Sequence, residues 1–388
     1  MKTLLLLGST GSIGRQTLEL VRRAPGEFRI GGLCAASSWE LLAEQAREFR
    51  PAVVALRDPA AAARLRAELP AEIAVRSGPD AAEELAAELP FDLAVHGITG
   101  AAGVRASRLV LQRGIPLALA NKESLVVAGE LLMELSRSSG APILPIDSEH
   151  CAIFQCLRGE PMDRVRRILL TASGGAFRDW PLSELDSATP EQALRHPNWN
   201  MGPRITVGSA TLMNKALEVV ETHHLFGLER ERIEVVLHRQ SIVHSLVEFV
   251  DGSVLAQMGP PDMRGPIHFA LHWPERAPSD LRGFDLTAFR ELTFEAVDAE
   301  RFPSLELGYR CVEEGEDSGC VLNAADEEAV AAFRAGTIGF QDIARINRRV
   351  LDRRPGSHGS LDALLSADRV ARETARREIA RHGRVPFS

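Results

Sequence analysis

The chain has 388 residues, 45% of them apolar and 25% charged, and a formal net charge of -8. That length exceeds what one ordinary hydrophobic core serves, so two or three domains are expected. The acidic balance argues against a general nucleic-acid binder, whose affinity rests on a basic face, and no stretch approaches the ~20 apolar residues of a membrane span.

The first apolar run, Leu4 to Leu7, is shorter than the ~7–15 residues of a signal-peptide core. The five cysteines, Cys34, Cys151, Cys156, Cys311 and Cys320, show no CxxC pairing. They fit reduced thiols of a cytoplasmic protein. Over residues 1–148, strand-like runs ("TLLLLG", "FRIGGLCAA", "PAVVAL", "EIAVRSG", "DLAVHGI", "IPLALA", "APILPID") alternate with segments of helical period such as "SWELLAEQAREF". This alternation predicts an α/β domain, a parallel sheet with helices on both faces. Ligands of such sheets sit beyond the carboxyl ends of the strands. Gly8, Asn121–Lys122–Glu123 and Asp147–Glu149 all fall at such ends.

The loop "GSTGSIG" carries Gly8, Gly11 and Gly14 between the first strand and a helix. Glycines permit a tight turn and close backbone approach, and a helix N-terminus offers N–H groups to a pyrophosphate. A Rossmann-like nucleotide site is expected, spaced GxxGxxG rather than GxGxxG. At the end of the second strand stand Ala36, Ser37 and Ser38, with no acid to repel a 2′-phosphate, which favours NADP.

From 149 to 285 the texture changes. Runs at "RVRRILLTASGG", "IEVVLH", "SIVHSLVEFV" and "GSVLAQMG" predict an antiparallel sheet with a turn at "DGS". A polar segment over about 174–204 is long enough for a flexible lid. The reading is a central α+β catalytic domain over 149–285, a connector over 286–302 and an α-helical domain, a C-terminal bundle, over 303–388. Arginines crowd the last helix, "RVARETARREIARHGR", at the spacing of a solvated helix face.

Asp147 and Glu149 close the seventh strand, where an extended chain sets residues two apart on one face. Ser148 or Asp147 could instead cap the following helix. Asn214, Lys215 and Glu218 share a helix face further along. If that face turns to the strand end, three carboxylates meet, and all-oxygen ligation suits Mg²⁺ or Mn²⁺. His150 would point to zinc but has the wrong neighbours. Ser173, Ser209, Asn214 and Lys215 are the types that bind phosphate, and Lys122 could reach the same cleft.

"GSTGSIG", "ANKESLV", "PIDSEH", "ASGGAFR", "RHPNWNMG", "SATLMNKALE", "DGSVLAQMGPPDMRGPI" and "LNAADE" follow in this order across nearly the whole chain. They resemble the 1-deoxy-D-xylulose 5-phosphate reductoisomerase family of the non-mevalonate isoprenoid pathway. The resemblance implies NADPH and one Mn²⁺ or Mg²⁺ as cofactors, a phosphorylated ketose as substrate and a homodimer. It implies that the cation, held by Asp147, Glu149 and Glu218, assists rearrangement of the carbon skeleton before hydride reduction to 2-C-methyl-D-erythritol 4-phosphate. It also implies catalytic roles for Lys122, Asp147, Glu149 and Glu218, and substrate roles for Lys122, Ser148, Glu149, Ser173, His196, Trp199, Ser209, Asn214, Lys215 and Glu218. Implied cofactor positions are Thr10, Gly11, Ser12, Ile13, Asn121, Glu123 and Gly202, with Ala36, Ser37 and Ser38 the less faithful match.

Trp199 would be a lid residue covering the substrate, its alternative being packing in a local cluster; His196 would donate to the phosphate or stabilise the loop. Three positions depart from the family pattern: Ala36-Ser37-Ser38 where Gly-Lys/Arg-Asn is common, Gly208 where an Asp is common, and Arg239 where a Pro is usual. The last two are expected only to tune activity. Two other readings compete: a simple NAD(P)-dependent sugar-phosphate dehydrogenase, which explains three carboxylates less well, and a non-catalytic nucleotide-binding protein, which would need no metal.

Overall fold

The computed structural model describes residues 1–199, 201–357 and 359–382. The chain packs as two compact units. Met1–Ser124, Leu132–Cys151 and Asp262–Leu281 form the first; Leu125–Leu131, Ala152–Pro261 and the chain from Arg282 onward form the second.

The first unit is built on seven strands: β1 (Lys2–Leu7), β2 (Phe28–Ala35), β3 (Val53–Leu56), β4 (Ala74–Ser77), β5 (Leu93–His96), β6 (Leu117–Leu119) and β7 (Ile143–Pro145). All seven expected runs form, and every pairing is parallel in the order β4-β3-β2-β1-β5-β6-β7. β3 and β5 are buried at every residue. Strands covered on both faces read as continuous apolar runs, which is why "LLLL" and "VVAL" lack polar alternation. Strand order reverses between β1 and β5, the point beyond whose carboxyl ends open parallel sheets take their ligands.

The second unit holds a five-stranded sheet in the order β11-β10-β8-β9-β12, with β8 (Val165–Ala172), β9 (Ile233–Leu237), β10 (Val243–Phe249), β11 (Val254–Met258) and β12 (Glu295–Ala296). β10 runs antiparallel to β8 and to β11. Asp251 Oδ1 accepts from the Ser253 N–H at 2.8 Å in the hairpin turn. β8 and β9, however, are parallel, so the sheet is mixed rather than wholly antiparallel. The long crossover through the helix Met213–Phe226 returns the chain in the same direction, as parallel pairing requires. β12 lies inside the stretch read as a connector.

Four helices follow: Ser304–Glu314, Ser318–Arg334, Phe340–Leu351 and Leu361–His382. Phe177, Met213, Leu217, Phe333 and Phe340 share one core cluster with them. Among the crowded arginines of the last helix, Arg372 pairs with Asp368, Glu327 and Glu328, and Arg376 with Glu328. Arg381 pairs with the buried Glu378, which Arg349 and Arg353 from earlier in the chain also reach. Residues 383 and 384 of that run lie outside the described residues.

The polar segment 174–204 proves largely packed. Leu182–Ser187 and Pro190–Ala193 form short helices, the second with a Thr189/Gln192 capping box. Phe177, Leu185, Ala188 and Ala193 are buried in the helical core. Isolated apolar residues in polar sequence give no periodic signal, which hides this anchoring. The more open part runs from 194 to 203; Asn200 within it lies outside the described residues. Among the described residues, no helix is long and apolar enough to cross a membrane.

Candidate active-site residues

In the first unit, Gly8 sits at φ +89, and a Cβ there would lie 2.8 Å from the Gly97 carbonyl carbon; one on Gly14 would lie 2.4 Å from Ser9 Cα. Both positions therefore demand glycine. The loop is pinned to β2 by the Gly8 and Ser9 N–H groups donating to the Cys34 carbonyl at 2.9 and 2.8 Å. Gly11 is the N-cap of the helix Ser12–Arg23, without a side-chain cap and without an acid in the first turn. The helix end at Gly11, Ser12 and Ile13, with Thr10 before it, keeps its positive character for an anion. Ala36, Ser37 and Ser38 are exposed at the end of β2, and the Ser38 hydroxyl makes no cap bond.

Asn121 N-caps the helix Lys122–Ser139: its Oδ1 accepts from the Ser124 N–H at 3.1 Å and from the Ser124 hydroxyl. Its Nδ2 donates to Gly100 O at 3.1 Å and to Glu123 Oε2 at 2.9 Å. The side chain thus caps the helix and holds Glu123. Behind it, Ser107 Oγ lies 3.0 Å from Ser124 Oγ and 2.8 Å from His96 Nδ1. Burial pushes His96 down to about 3, so it is neutral.

Lys122 Nζ lies 2.5 Å from Asp147 Oδ2, with both side chains largely buried. Burial alone would raise the Asp147 carboxyl; the Lys122 ammonium and His150 outweigh it and hold the group well below the usual carboxylate range. Asp147 and Glu149 offer carboxylate oxygens within 4.8 Å of each other. The route to this closeness differs from the expected extended geometry. β7 ends at Pro145 and a helix begins at Ser148, so the strand-to-helix turn brings the acids together. Asp147 Oδ1 accepts from the adjacent Ser148 N–H at 3.1 Å, and Ser148 Oγ donates to Glu149 Oε2 at 2.5 Å.

In the second unit, Ser173 follows β8, and its Oγ lies 2.9 Å from His196 Nε2 and 3.4 Å from Ser209 Oγ; His196 Nε2 to Ser209 Oγ is 3.1 Å. Burial, reinforced by Arg178, pushes His196 down to about 4. The Trp199 ring is half-buried, tilted against His244 at 6.1 Å. Gly202 is exposed and N-caps the helix Pro203–Ala210, which carries Ser209. On the next helix, Asn214 Nδ2 donates to Glu218 Oε1 at 2.5 Å and Lys215 Nζ to Glu218 Oε2. Glu218 is 1% exposed.

No spacing or periodicity in the sequence marks the Ser107–His96 pair behind Asn121, or Asn198 and Arg178 around His196. Asn198 stood inside a quoted motif, and a polar loop Asn is a known backbone-bonding type. His96 had only its position at a strand end to mark it.

Residues 4–129 match the family model for 1-deoxy-D-xylulose 5-phosphate reductoisomerase, 143–226 that for its C-terminal domain, and 258–374 that for the DXP reductoisomerase C-terminal domain. A protein of that name from Prosthecochloris aestuarii is 50% identical over 382 residues, covering 97% of this chain and 99% of its own. One from Anaeromyxobacter is 47% identical, covering 100% and 99%. The solved enzyme from Zymomonas mobilis in complex with NADPH superposes with a TM-score of 0.91 at 41% identity, over 97% of this chain and 99% of that one. A DOX-P reductoisomerase in complex with NADPH, fosmidomycin and magnesium gives 0.93 at 38% identity, over 98% of both chains. With three family models spanning most of its length and relatives matching it end to end, this chain belongs to the 1-deoxy-D-xylulose 5-phosphate reductoisomerase family.

Proposed function

We propose that this chain catalyses the isomerisation and NADPH-dependent reduction of 1-deoxy-D-xylulose 5-phosphate to 2-C-methyl-D-erythritol 4-phosphate, with one divalent cation, in non-mevalonate isoprenoid biosynthesis. The observation that carries this reading is 50% identity across 97% of the chain to an enzyme of that name.

Asp147, Glu149 and Glu218 would hold the cation. The donor set fits: the oxygens are all carboxylate, as Mg²⁺ and Mn²⁺ prefer. Asp147 Oδ2 is buried and already faces a cation, the Lys122 ammonium at 2.5 Å. When bound, the cation supplies Lewis-acid polarisation of the substrate's carbonyl and neighbouring hydroxyl. NADPH supplies the hydride. It would lie on Thr10, Gly11, Ser12 and Ile13, with Ala36, Ser37, Ser38, Asn121, Glu123 and Gly202 completing its site.

The remaining work belongs to side chains. Ser173, His196, Ser209, Asn214 and Lys215 orient the phosphate-bearing end; a neutral His196 donating through Nε2 supports that role. Lys122 and Ser148 contact the reacting end. Trp199 covers the substrate and excludes water from the reactive aldehyde. The test follows NADPH absorbance with 1-deoxy-D-xylulose 5-phosphate and Mg²⁺ or Mn²⁺. Turnover that stops with chelator is expected; no substrate-dependent oxidation by folded protein ends the reading, and oxidation indifferent to chelator favours the simple dehydrogenase.

A cytoplasmic homodimer completes the proposal. The edge strand β11 exposes Val254 (50%), Leu255 (45%) and Met258 (45%), an apolar edge suited to pairing with a second copy. Light scattering should give about twice the 42.3 kDa chain mass, and Leu255→Lys should return it to one. The five free cysteines suit a reducing compartment.

A further inference from the structure

Asn198 lies between His196 and Trp199 in the open stretch 194–203. Its Nδ2 donates to Arg239 O at 2.6 Å and to Ser241 Oγ at 2.9 Å, so both amide protons go to one turn. That turn is itself braced. The Arg239 guanidinium meets Asp179 at 2.6 Å and Glu295 at 2.5 Å. His238 Nε2 accepts the N–H groups of Ile242 and Val243, both at 3.1 Å, while its Nδ1 donates to Thr293 O at 2.8 Å. On its other side, the backbone N–H groups of Asn198 and Trp199 both donate to His196 Nδ1, at 3.1 and 2.9 Å. A ring nitrogen that accepts two hydrogen bonds carries no proton. Neutral His196 therefore keeps its proton on Nε2, which faces Ser173 Oγ and Ser209 Oγ.

We propose that Asn198 is a positioning residue: hooked onto the Arg239 carbonyl and the Ser241 hydroxyl, it holds the two N–H groups against His196 Nδ1 and so selects the Nε2–H tautomer that donates to the substrate phosphate. This rests on the reading of His196 as a phosphate donor. Asn198 itself touches no substrate. Arg239, at a position expected only to tune activity, supplies the accepting carbonyl from a turn that its own ion pairs immobilise.

Asn198→Asp is the test, since it keeps the shape, removes both donors and sets a carboxylate against a carbonyl. The KM for 1-deoxy-D-xylulose 5-phosphate should rise about tenfold, the scale of a lost hydrogen bond to a charged group, with the KM for NADPH unchanged. In ¹⁵N-histidine spectra of the full-length protein, the His196 signals, assigned by their loss in His196→Gln, should move from Nε2–H toward a mixture of tautomers. An unchanged substrate KM and an unchanged tautomer would overturn the latch. If His196→Gln raises the KM while Asn198→Asp does not, the latch alone fails. If His196→Gln leaves the KM untouched, the phosphate-donor reading beneath it fails. Should Asn198→Asp not fold, Ser241→Ala removes one of the two anchors and should move KM and tautomer in the same direction by a smaller factor; no movement in either would sink the proposal.

Discussion

Each unit buries one lysine–carboxylate pair, and the two pairs come about in different ways. Lys215 and Glu218 lie three apart on one helix, with Asn214 one residue before, so helical geometry alone brings all three together. Lys122 and Asp147 lie beyond the ends of two different strands. They meet because β6 and β7 are parallel neighbours, with Leu119 registered to Pro145. The pairs also differ in burial: side-chain exposure is 4% and 1% for Lys215 and Glu218, against 8% and 15% for Lys122 and Asp147. One pair is a property of a short stretch of chain. The other is a property of the sheet.

The contrast can be broken most forcefully at the acids. Glu218→Gln and Asp147→Asn should each lower turnover by more than the roughly 10–100-fold that changes outside a metal's ligand shell cost. NADPH binding, measured by fluorescence titration, should survive in both. Equal loss of turnover and cofactor binding in Glu218→Gln would remove Glu218 from the metal role.

The lysines sharpen the comparison. Lys215→Met and Lys122→Met each leave a buried carboxylate without its partner, which costs about 3–5 kcal/mol. The deeper burial of Glu218 puts Lys215→Met at the upper end. Urea midpoints would show it; if Lys122→Met proved the more costly, burial would not govern the difference. Millimolar Mg²⁺ should restore part of the midpoint in both variants.

The smallest effect asks whether the units differ beyond these pairs. Each buries a neutral histidine, His96 in the first and His224 in the second, both pushed by burial down to about 3 from an ordinary 6.5. The unfolded chain takes up protons near pH 6.5 that the folded one refuses until near 3. Stability is therefore complete above about pH 6.5 and falls as pH drops, by about 2 kcal/mol per histidine at pH 5. A urea midpoint that stays flat from pH 7.5 to 5 would contradict this.

Much of the site was legible because it is local. The glycine loop, the Asn214–Lys215–Glu218 face and all seven strands of the first sheet declare themselves through spacing and period. Other features depend on partners distant in the chain. Asn121 shows as a helix cap holding Glu123 only once the helix beginning at Lys122 is placed. The parallel pairing of β8 with β9 depends on where a long crossover returns. The stretch around Phe177 and Leu185 looked loose because its burial comes from helices far along the chain.

By itself, the order of residues determined the family, the chemistry of the side chains available and the elements that carry them, since spacing and periodicity are local quantities. Tertiary structure decided which lysine faces Asp147, that a strand-to-helix turn and not a strand brings Asp147 and Glu149 together, and which nitrogen of His196 holds its proton. Each of these turns on a distance or a hydrogen bond that exists only once the chain has folded.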